Sequence, residues 1–251
     1  QKKQKMSLEN TLNRLNNDED YYGSFGKKYL SNSDIGTLLS NPKQFGKDKE
    51  KTLPMLQGSY FHTAMLEPHK LEDFEIVSAS TRNTKIYKEA IDNSEESMLL
   101  LAKEVDELEK CIDTMKSNFF FFENIYQEGN KYEVPMIKEI MGFTWKGKAD
   151  IETEDCLIDI KTTGDIDNFK YSSKKYNYDS QAYIYEQLFG KPLVFYVVCK
   201  KSLRLGVFEP TEEFLASGKK KTEEAVKVYN RFFSEDSEEN VDNYFLTQKL
   251  F

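Results

Sequence analysis

The chain has 251 residues and a formal net charge of -8. This length can bury one substantial core, so we expect a single domain. The longest apolar runs, Phe119 to Phe122 and Leu193 to Cys199, are far shorter than the roughly 20 residues of a membrane-spanning helix. The acidic balance also argues against a protein that coats nucleic acid non-specifically, because such a surface repels phosphates.

Two features indicate the cell compartment. The polar run from Ser7 to Asp20 follows a basic N-terminus and lacks the apolar stretch of a secretion signal, so we expect a cytoplasmic protein. Cys111, Cys156 and Cys199 are odd in number and far apart in sequence. They therefore argue against a disulfide framework and against a zinc site built from C-x-x-C pairs.

The predicted elements begin after a polar stretch. Residues 1–28 show little periodicity, and we expect a mobile or loosely packed N-terminal segment there. Residues 29–251 should then form the single folded domain. A short helix should start at Ser31 or Ser33 as N-cap and stop at Pro42.

Two further helices precede the first strand. One covers 56–66, carries His62 and ends before Pro68. The other covers 95–117, because its apolar residues recur at steps of three and four. These apolar residues are Met98, Leu101, Val105, Leu108, Ile112 and Met115.

The period then changes to that of strands. Strands are predicted over 131–137, 143–151, 156–162 and 193–200. Helices are predicted over 178–189 and over 212–233, the latter capped by Thr211. This order indicates an α/β fold, with a central mixed sheet that contains an antiparallel hairpin and is flanked by helices.

The hairpin brings ionisable side chains together. Side chains alternate faces along a strand, so Asp159 and Lys161 share one face of theirs. If Glu152 to Asp155 form the loop, Asp150 pairs with Leu157 and lies diagonal to Asp159. The hairpin therefore predicts two carboxylates and one amine converging on one site.

Two carboxylates this close repel each other unless a cation lies between them, and oxygen ligands suit Mg²⁺ or Mn²⁺. A lysine beside such a metal can orient the water that attacks a phosphodiester. The alternative is a surface ion pair between Asp159 and Lys161, worth roughly 0–1 kcal/mol. The preceding Gly-Lys-Ala-Asp strand, 147–150, and the pair Gln181 and Tyr185 on the next helix favour the catalytic interpretation.

These motifs resemble the PD-(D/E)XK nuclease superfamily. Gly147 to Asp150, Leu157 to Thr163, and Gln181 with Tyr185 follow its order of motifs. The stretch Gly58 to Pro68 resembles the histidine helix of RecE-type, lambda-exonuclease-like enzymes of phage recombination. The resemblance covers roughly Tyr29 to Lys200 and implies a restriction-endonuclease-like core.

The resemblance also implies roles for individual residues. His62, Asp150 and Asp159 would bind Mg²⁺, for which Mn²⁺ could substitute, and the Ile160 carbonyl would complete the metal shell. Lys161 would assist the attacking water. For His62, the alternative is a hydrogen-bonded core histidine.

Other candidates would contact the substrate or the lysine. Gln181 and Tyr185 would position Lys161 or a phosphate, or else simply pack on the sheet. Thr162 and Thr163 could hydrogen-bond a phosphate oxygen.

Two candidates are further from the motifs. Arg82 could grip a terminal phosphate bidentately. Glu133 begins the first strand, where such nucleases often carry an acid, and is a second-rank candidate.

The resemblance implies a 5′→3′ exonuclease that degrades double-stranded DNA to mononucleotides and leaves 3′ single strands for an annealing partner. It also implies a homo-oligomeric ring, a trimer or tetramer, encoded by a phage or prophage. One alternative is another PD-(D/E)XK nuclease, either a repair endonuclease or a single-strand exonuclease. A second alternative is a non-catalytic module that binds DNA ends.

Overall fold

The first half of the protein is mainly helical. The computed structural model describes residues 7–237 and 239–247. The helices of this half are α1 (Leu8–Leu15), α2 (Asp18–Tyr22), α3 (Asn32–Ser40), α4 (Leu53–Leu66), α5 (Lys85–Asp92), α6 (Ala102–Ser117) and α7 (Phe119–Ile125). Two short strands, β1 (Ile76–Val77) and β2 (Leu100–Leu101), pair in parallel beside them.

A five-stranded sheet organises the second half. Its strands are β3 (Lys131–Ile140), β4 (Phe143–Glu152), β5 (Leu157–Thr163), β6 (Leu193–Cys199) and β7 (Leu205–Phe208), in that spatial order. The helices are α8 (Phe169–Lys175), α9 (Tyr178–Phe189) and α10 (Glu212–Phe232). Strands β5 and β6 are parallel, and the other neighbours are antiparallel. The predicted mixed sheet with a central antiparallel hairpin and flanking helices is confirmed.

Both faces of β5 are buried under helices. Ile158 and Ile160 pack in one apolar cluster with Phe61 of α4. Leu157 packs in a second cluster with Ala182 of α9. Each fully buried aliphatic side chain contributes roughly 1.5–3 kcal/mol. Packing on two sides therefore fixes the strand that carries the D-x-K motif.

The register of the β4–β5 hairpin differs from the prediction. Ile151 pairs with Ile158 and not with Cys156, so the predicted register is wrong by two residues. A two-residue shift keeps every side chain on its own face, because the side-chain period of a strand is two. Continuing this register places Asp150 opposite Asp159 instead of diagonal to it.

The hairpin loop explains this difference. It spans 153–156, one residue later than predicted, and the Thr153 side chain closes it. The Thr153 hydroxyl accepts a hydrogen bond from the Cys156 amide at 3.0 Å and donates to the Cys156 carbonyl at 2.9 Å. Local threonine hydroxyl bonds of this kind replace backbone ladder bonds at a turn.

The described part of the N-terminal segment, residues 7–28, differs from the prediction, and residues 1–6 of that prediction lie outside the described residues. Residues 7–28 form α1, α2 and a 3-10 turn, and they bury Leu15, Tyr21 and Phe25 against the sheet residue Ile137. The Arg14 guanidinium lies 3.8 Å from the centre of the Phe25 ring. A few large apolar side chains thus anchor a segment whose composition is otherwise polar.

The helix predicted over 95–117 begins later, at Ala102. The Glu104 carboxylate accepts a hydrogen bond from the Leu101 amide at 2.9 Å and so caps the helix start. Residues Leu100–Leu101 instead pair with β1. The first and last residues of the other predicted helices lie within three positions of those of α3, α4, α9 and α10. Within the described ranges, no helix has both the length and the apolar character to cross a bilayer.

Candidate active site

The motif residues line one cavity of about 640 Å³. Its walls come from α2, the start of α3, α4, β3, β4, β5 and α9. The predicted residues that line it are His62, Glu133, Asp150, Asp159, Lys161, Gln181 and Tyr185. Elements far apart in sequence thus bring nearly all of the predicted catalytic side chains to one place.

Three potential metal ligands meet in this cavity. His62 on α4, Glu133 on β3 and Asp150 on β4 each offer a ligand atom within 4.8 Å of the others. His62 Nδ1 and Asp150 Oδ2 lie 3.4 Å apart. A set of two carboxylates and one imidazole suits a divalent cation such as Mn²⁺ or Mg²⁺.

Glu133 belongs to this group although the sequence ranked it second. It lies between the paired residues Tyr132 and Val134, so it faces Asp150 across β3 and β4. Its φ of +51° is unusual for a residue other than glycine. Such a backbone costs about 1–3 kcal/mol and concentrates at functional sites. Burial, and next the Asp150 charge, raise the pKa of the Glu133 carboxyl to about 7.

Asp150 is buried and held from two sides. Its Oδ2 accepts a hydrogen bond from the Ile160 amide at 2.9 Å. Burial alone would raise the pKa of Asp150, but His62, Lys161 and the Ile160 amide outweigh it and lower that pKa. Asp150 is therefore ionised at neutral pH. A metal contact of the Ile160 carbonyl stays a prediction.

The contact with Asp150 also shifts the pKa of His62. Burial alone would lower the pKa of His62, but the Asp150 carboxylate outweighs it and raises that pKa. Protons and a metal ion would therefore compete for this imidazole.

Asp159 and Lys161 form a buried ion pair, with Lys161 Nζ at 2.5 Å from Asp159 Oδ2. Burial opposes the charge on Lys161, but the carboxylates of Asp159 and Asp150 outweigh it and raise the Lys161 pKa. The ammonium group also lies 5.0 Å from the centre of the Tyr178 ring. Lys161 is therefore a positive hydrogen-bond donor at neutral pH and not a base.

Gln181 and Tyr185 on α9 contact different partners from those predicted. Gln181 Nε2 donates to Asp159 Oδ1 at 2.6 Å, so it positions the acid rather than Lys161. The Tyr185 hydroxyl donates to the Lys148 carbonyl at 3.1 Å and therefore braces β4. The Tyr185 contact agrees with the alternative of packing on the sheet, and a contact of either side chain with a phosphate stays a prediction.

The remaining candidates lie outside this cavity. Thr162 and Thr163 line an adjoining cavity of about 620 Å³ that also reaches Lys161. Arg82 instead donates to both oxygens of Glu104, at 2.6 and 2.8 Å, and to the Leu99 carbonyl. These contacts engage Arg82 Nη1 and Nη2 within the protein, and a phosphate contact of Arg82 stays a prediction.

Sequence reasoning missed two lysines in the cavity wall. Lys146 and Lys148 precede Asp150 on β4 at steps of two, and both are buried. Lys146 Nζ donates to the Tyr21 carbonyl, and burial lowers its pKa to about 8. The alternation with Asp150 was the signal that could have identified them.

Comparison with known proteins agrees with this geometry. A family model described as "PDDEXK-like domain of unknown function (DUF3799)" matches residues 36–240. The crystal structure of a provisionally named exonuclease from Eubacterium rectale superposes with a TM-score of 0.63 and 18% identity, over 94% of this chain and 96% of that chain.

At that identity the likeness supports the fold alone. The structure of SSO0001, at 16% identity over 78% of this chain and 84% of that chain, has a TM-score of 0.32 and carries no weight. No curated protein sequence matches the chain. The family match spans well over half of the chain, so the protein belongs to the DUF3799 family of PDDEXK-like domains, within the PD-(D/E)XK nuclease superfamily.

Proposed function

We propose that the protein is a divalent-metal-dependent deoxyribonuclease that acts as an exonuclease on double-stranded DNA. The observation that carries this proposal is the meeting of His62, Glu133 and Asp150 beside the buried pair of Asp159 and Lys161. Membership of a nuclease superfamily supports the same reaction class.

The residues present fit a hard divalent cation. The ligand atoms are carboxylate oxygens and one imidazole nitrogen, and no thiol lines the cavity within the described part of the chain. The Glu133 and Asp150 carboxylates face each other across β3 and β4, and burial, and next the Asp150 charge, raise the pKa of Glu133, as expected where a bound cation would stabilise both charges. When bound, Mg²⁺ or Mn²⁺ supplies charge that stabilises phosphoryl oxygens and acidifies a water molecule.

Residues of the chain itself would bind and position the phosphate and the attacking water. Lys161, charged and fixed by Asp159, presents a donor to a phosphate oxygen or to the attacking water. Gln181 keeps Asp159 from rotating away. Preorganised donors of this kind stabilise a transition state without further reorganisation.

The finer assignment rests on resemblance. The histidine helix and the order of the motifs resemble RecE-type enzymes, which supports 5′→3′ degradation to mononucleotides and a 3′ overhang. An annealing protein that binds this overhang is the partner we propose. We also propose a homo-oligomeric ring, and light scattering should give the mass of a trimer or tetramer at micromolar concentration. A monomer under those conditions would contradict the ring.

Cleavage of labelled DNA tests the function. Linear duplex labelled at the 5′ or at the 3′ end is incubated with the protein and Mg²⁺ or Mn²⁺, beside closed circular DNA. We expect early release of the 5′ label as a mononucleotide and an intact circle. A nicked circle would indicate an endonuclease, and binding without any cleavage would indicate a non-catalytic module.

Matched variants locate the activity. Lys161→Ala should lose at least about 100-fold in turnover, because it removes a preorganised donor. Asp20→Asn is the control, since Asp20 pairs with Arg14 and does not line the cavity. Equal activity of the Lys161→Ala variant and the control would reject the proposed site.

A further inference from the structure

Lys148 has an unusual partner for a buried lysine. Its side chain is only 6% exposed, and its ammonium lies 2.5 Å from Asp18 Oδ1. Asp18 belongs to α2, in the N-terminal segment, and its own side chain is 50% exposed. The ion pair thus joins a fixed strand residue to a half-exposed residue on a five-residue helix.

The pair lies inside the cavity of the candidate active site. Asp18 and Lys148 line this cavity together with Glu133 and Asp150. Lys148 is two residues from Asp150 on β4, and the positive charge of Lys148 favours the ionised form of Glu133. A phosphate bound at Lys148 would therefore lie next to the reacting site.

Lys148 depends on Asp18 for its ion pair, whereas the other lysine near Asp18 does not. That lysine, Lys70, lies 3.2 Å from Asp18 but also 2.7 Å from the Glu67 carboxylate. Within residues 7–237 and 239–247, Asp18 is the one acid at ion-pair distance from Lys148. If Asp18 moved away, Lys70 would keep a partner and Lys148 would be left as a buried ammonium without one. A buried unpaired charge is costly, so that position favours an incoming anion.

The other cavity lysines are less free to exchange partners. Lys161 is held by the buried Asp159, and Lys146 donates to a backbone carbonyl. The rings of Tyr21 and Tyr22, on the same helix as Asp18, lie 4.4 and 5.5 Å from Lys148 Nζ, so rotation of the Asp18 side chain alone would leave these contacts in place.

We propose that Lys148 binds a phosphate of the DNA substrate and that the Asp18 carboxylate occupies this position in the free protein. Asp18 is thus an internal competitor of the substrate, and DNA binding includes its displacement from Lys148. This inference rests on the proposed nuclease function and adds to it a phosphate position and a built-in restraint on binding.

The test measures DNA binding and cleavage separately. The probe is a fluorescent, 5′-phosphorylated duplex, titrated by anisotropy with Ca²⁺ in place of Mg²⁺ and inspected on a gel to show that it stays intact. Asp18→Asn should tighten binding about threefold to tenfold, because it removes a competing charge. Asp20→Asn changes the net charge equally on the same helix and should stay within about twofold of wild type.

Variants of Lys148 complete a double-mutant cycle with Asp18→Asn. Lys148→Gln should weaken binding about tenfold or more, and Lys148→Arg should restore most of it. The double variant Asp18→Asn with Lys148→Gln should bind as weakly as Lys148→Gln alone. A role confined to stability would instead lower the melting temperature of both Lys148 variants alike and leave the Asp18→Asn affinity no better than wild type.

Contrary outcomes are distinct. If Asp18→Asn binds no tighter than wild type, or if its gain persists without Lys148, the inference is overturned while cleavage by the wild type still supports the nuclease. If the wild type neither binds nor cleaves the duplex with Mn²⁺, the proposed function itself fails and takes the inference with it.

Discussion

Single residues set the chemistry of the cavity, and Glu133 is the most informative. Its backbone has φ of +51° and its carboxyl faces Asp150. The sequence could only rank it second, because neither a positive φ nor a cross-strand neighbour is visible in a strand pattern. By contrast, Asp159 and Lys161 could be predicted directly, because alternation along one strand determines their shared face.

Replacing Glu133 should separate metal binding from folding. In Glu133→Gln we expect the metal-free protein to be at least as stable as wild type at pH 8, since a repelled, buried charge is gone. The stabilisation of wild type by Mn²⁺, about 2.7 kcal/mol at 100 times the Kd, should largely disappear. Thermal melts with and without Mn²⁺ measure both effects. An unchanged Mn²⁺ shift in the variant would remove Glu133 from the metal site.

The raised pKa of Glu133 predicts that the stability of the fold depends on pH. Burial, and next the Asp150 charge, raise the pKa of the Glu133 carboxyl from its usual 4.5 to about 7 in the fold. Between these values the folded state binds more protons than the unfolded state, so stability falls as pH rises. His62, whose pKa is also raised, changes stability in the same direction.

We therefore expect the metal-free protein to lose up to about 3 kcal/mol between pH 5 and pH 8. Urea unfolding in EDTA at both pH values checks this, with Glu133→Gln as the control that should lose clearly less. A wild-type midpoint that stays level or rises with pH would contradict the assigned environment of Glu133.

At the scale of elements, the contact of α9 with β4 determines the geometry of the site. A Cβ at Gly147 would lie 2.6 Å from Leu188 Cδ1 and 2.9 Å from Tyr185 Cε1. Glycine in the Gly-Lys-Ala-Asp motif thus lets the helix approach the strand closely, which brings Gln181 to Asp159.

Gly147→Ala should therefore destabilise the protein by about 1–3 kcal/mol through overpacking and should lower turnover as well. Gly164→Ala is the matched control, because no atom lies within 4 Å of the added Cβ and its φ is not in the left-handed region. Chemical unfolding of both variants tests this. If the two glycine substitutions have equal effects, close packing of α9 is not what Gly147 provides.

The sequence predicted some of the helices and strands correctly and missed others. Strands β3 to β6 and helices α9 and α10 followed from periodicity, since each buries a regular apolar face, whereas β7 and α8 are short and were not predicted. The hairpin register did not follow, because the Thr153 hydroxyl closes the loop one residue later. The N-terminal helices were missed because Leu15, Tyr21 and Phe25 are too few and too irregular to form a periodic pattern.

At the scale of the whole molecule, charge limits how DNA can bind. The net charge is -8, and the candidate cavity itself is acidic. Its charged walls comprise the acids Asp18, Glu67, Glu133, Asp150 and Asp159 and the lysines Lys146, Lys148 and Lys161. A phosphate entering without a metal would meet more negative than positive groups.

Removal of divalent ions should therefore weaken DNA binding about tenfold or more, because the carboxylates then repel the phosphate. Anisotropy of a labelled duplex in EDTA and in Ca²⁺ measures this. Asp150→Asn is the informative comparison, since it should bind less tightly in Ca²⁺ and lose less on chelation. Equal wild-type affinity in EDTA and Ca²⁺ would show that DNA binds away from the carboxylates.

The most direct test of the site is a crystal soaked in Mn²⁺ at a concentration that supports cleavage, with anomalous diffraction data collected near the manganese edge. We predict a peak within bonding distance of Asp150 and Glu133 and next to the His62 ring. A crystal that contains Mn²⁺ elsewhere but has no peak among these three side chains would contradict the metal site, and with it the proposed chemistry.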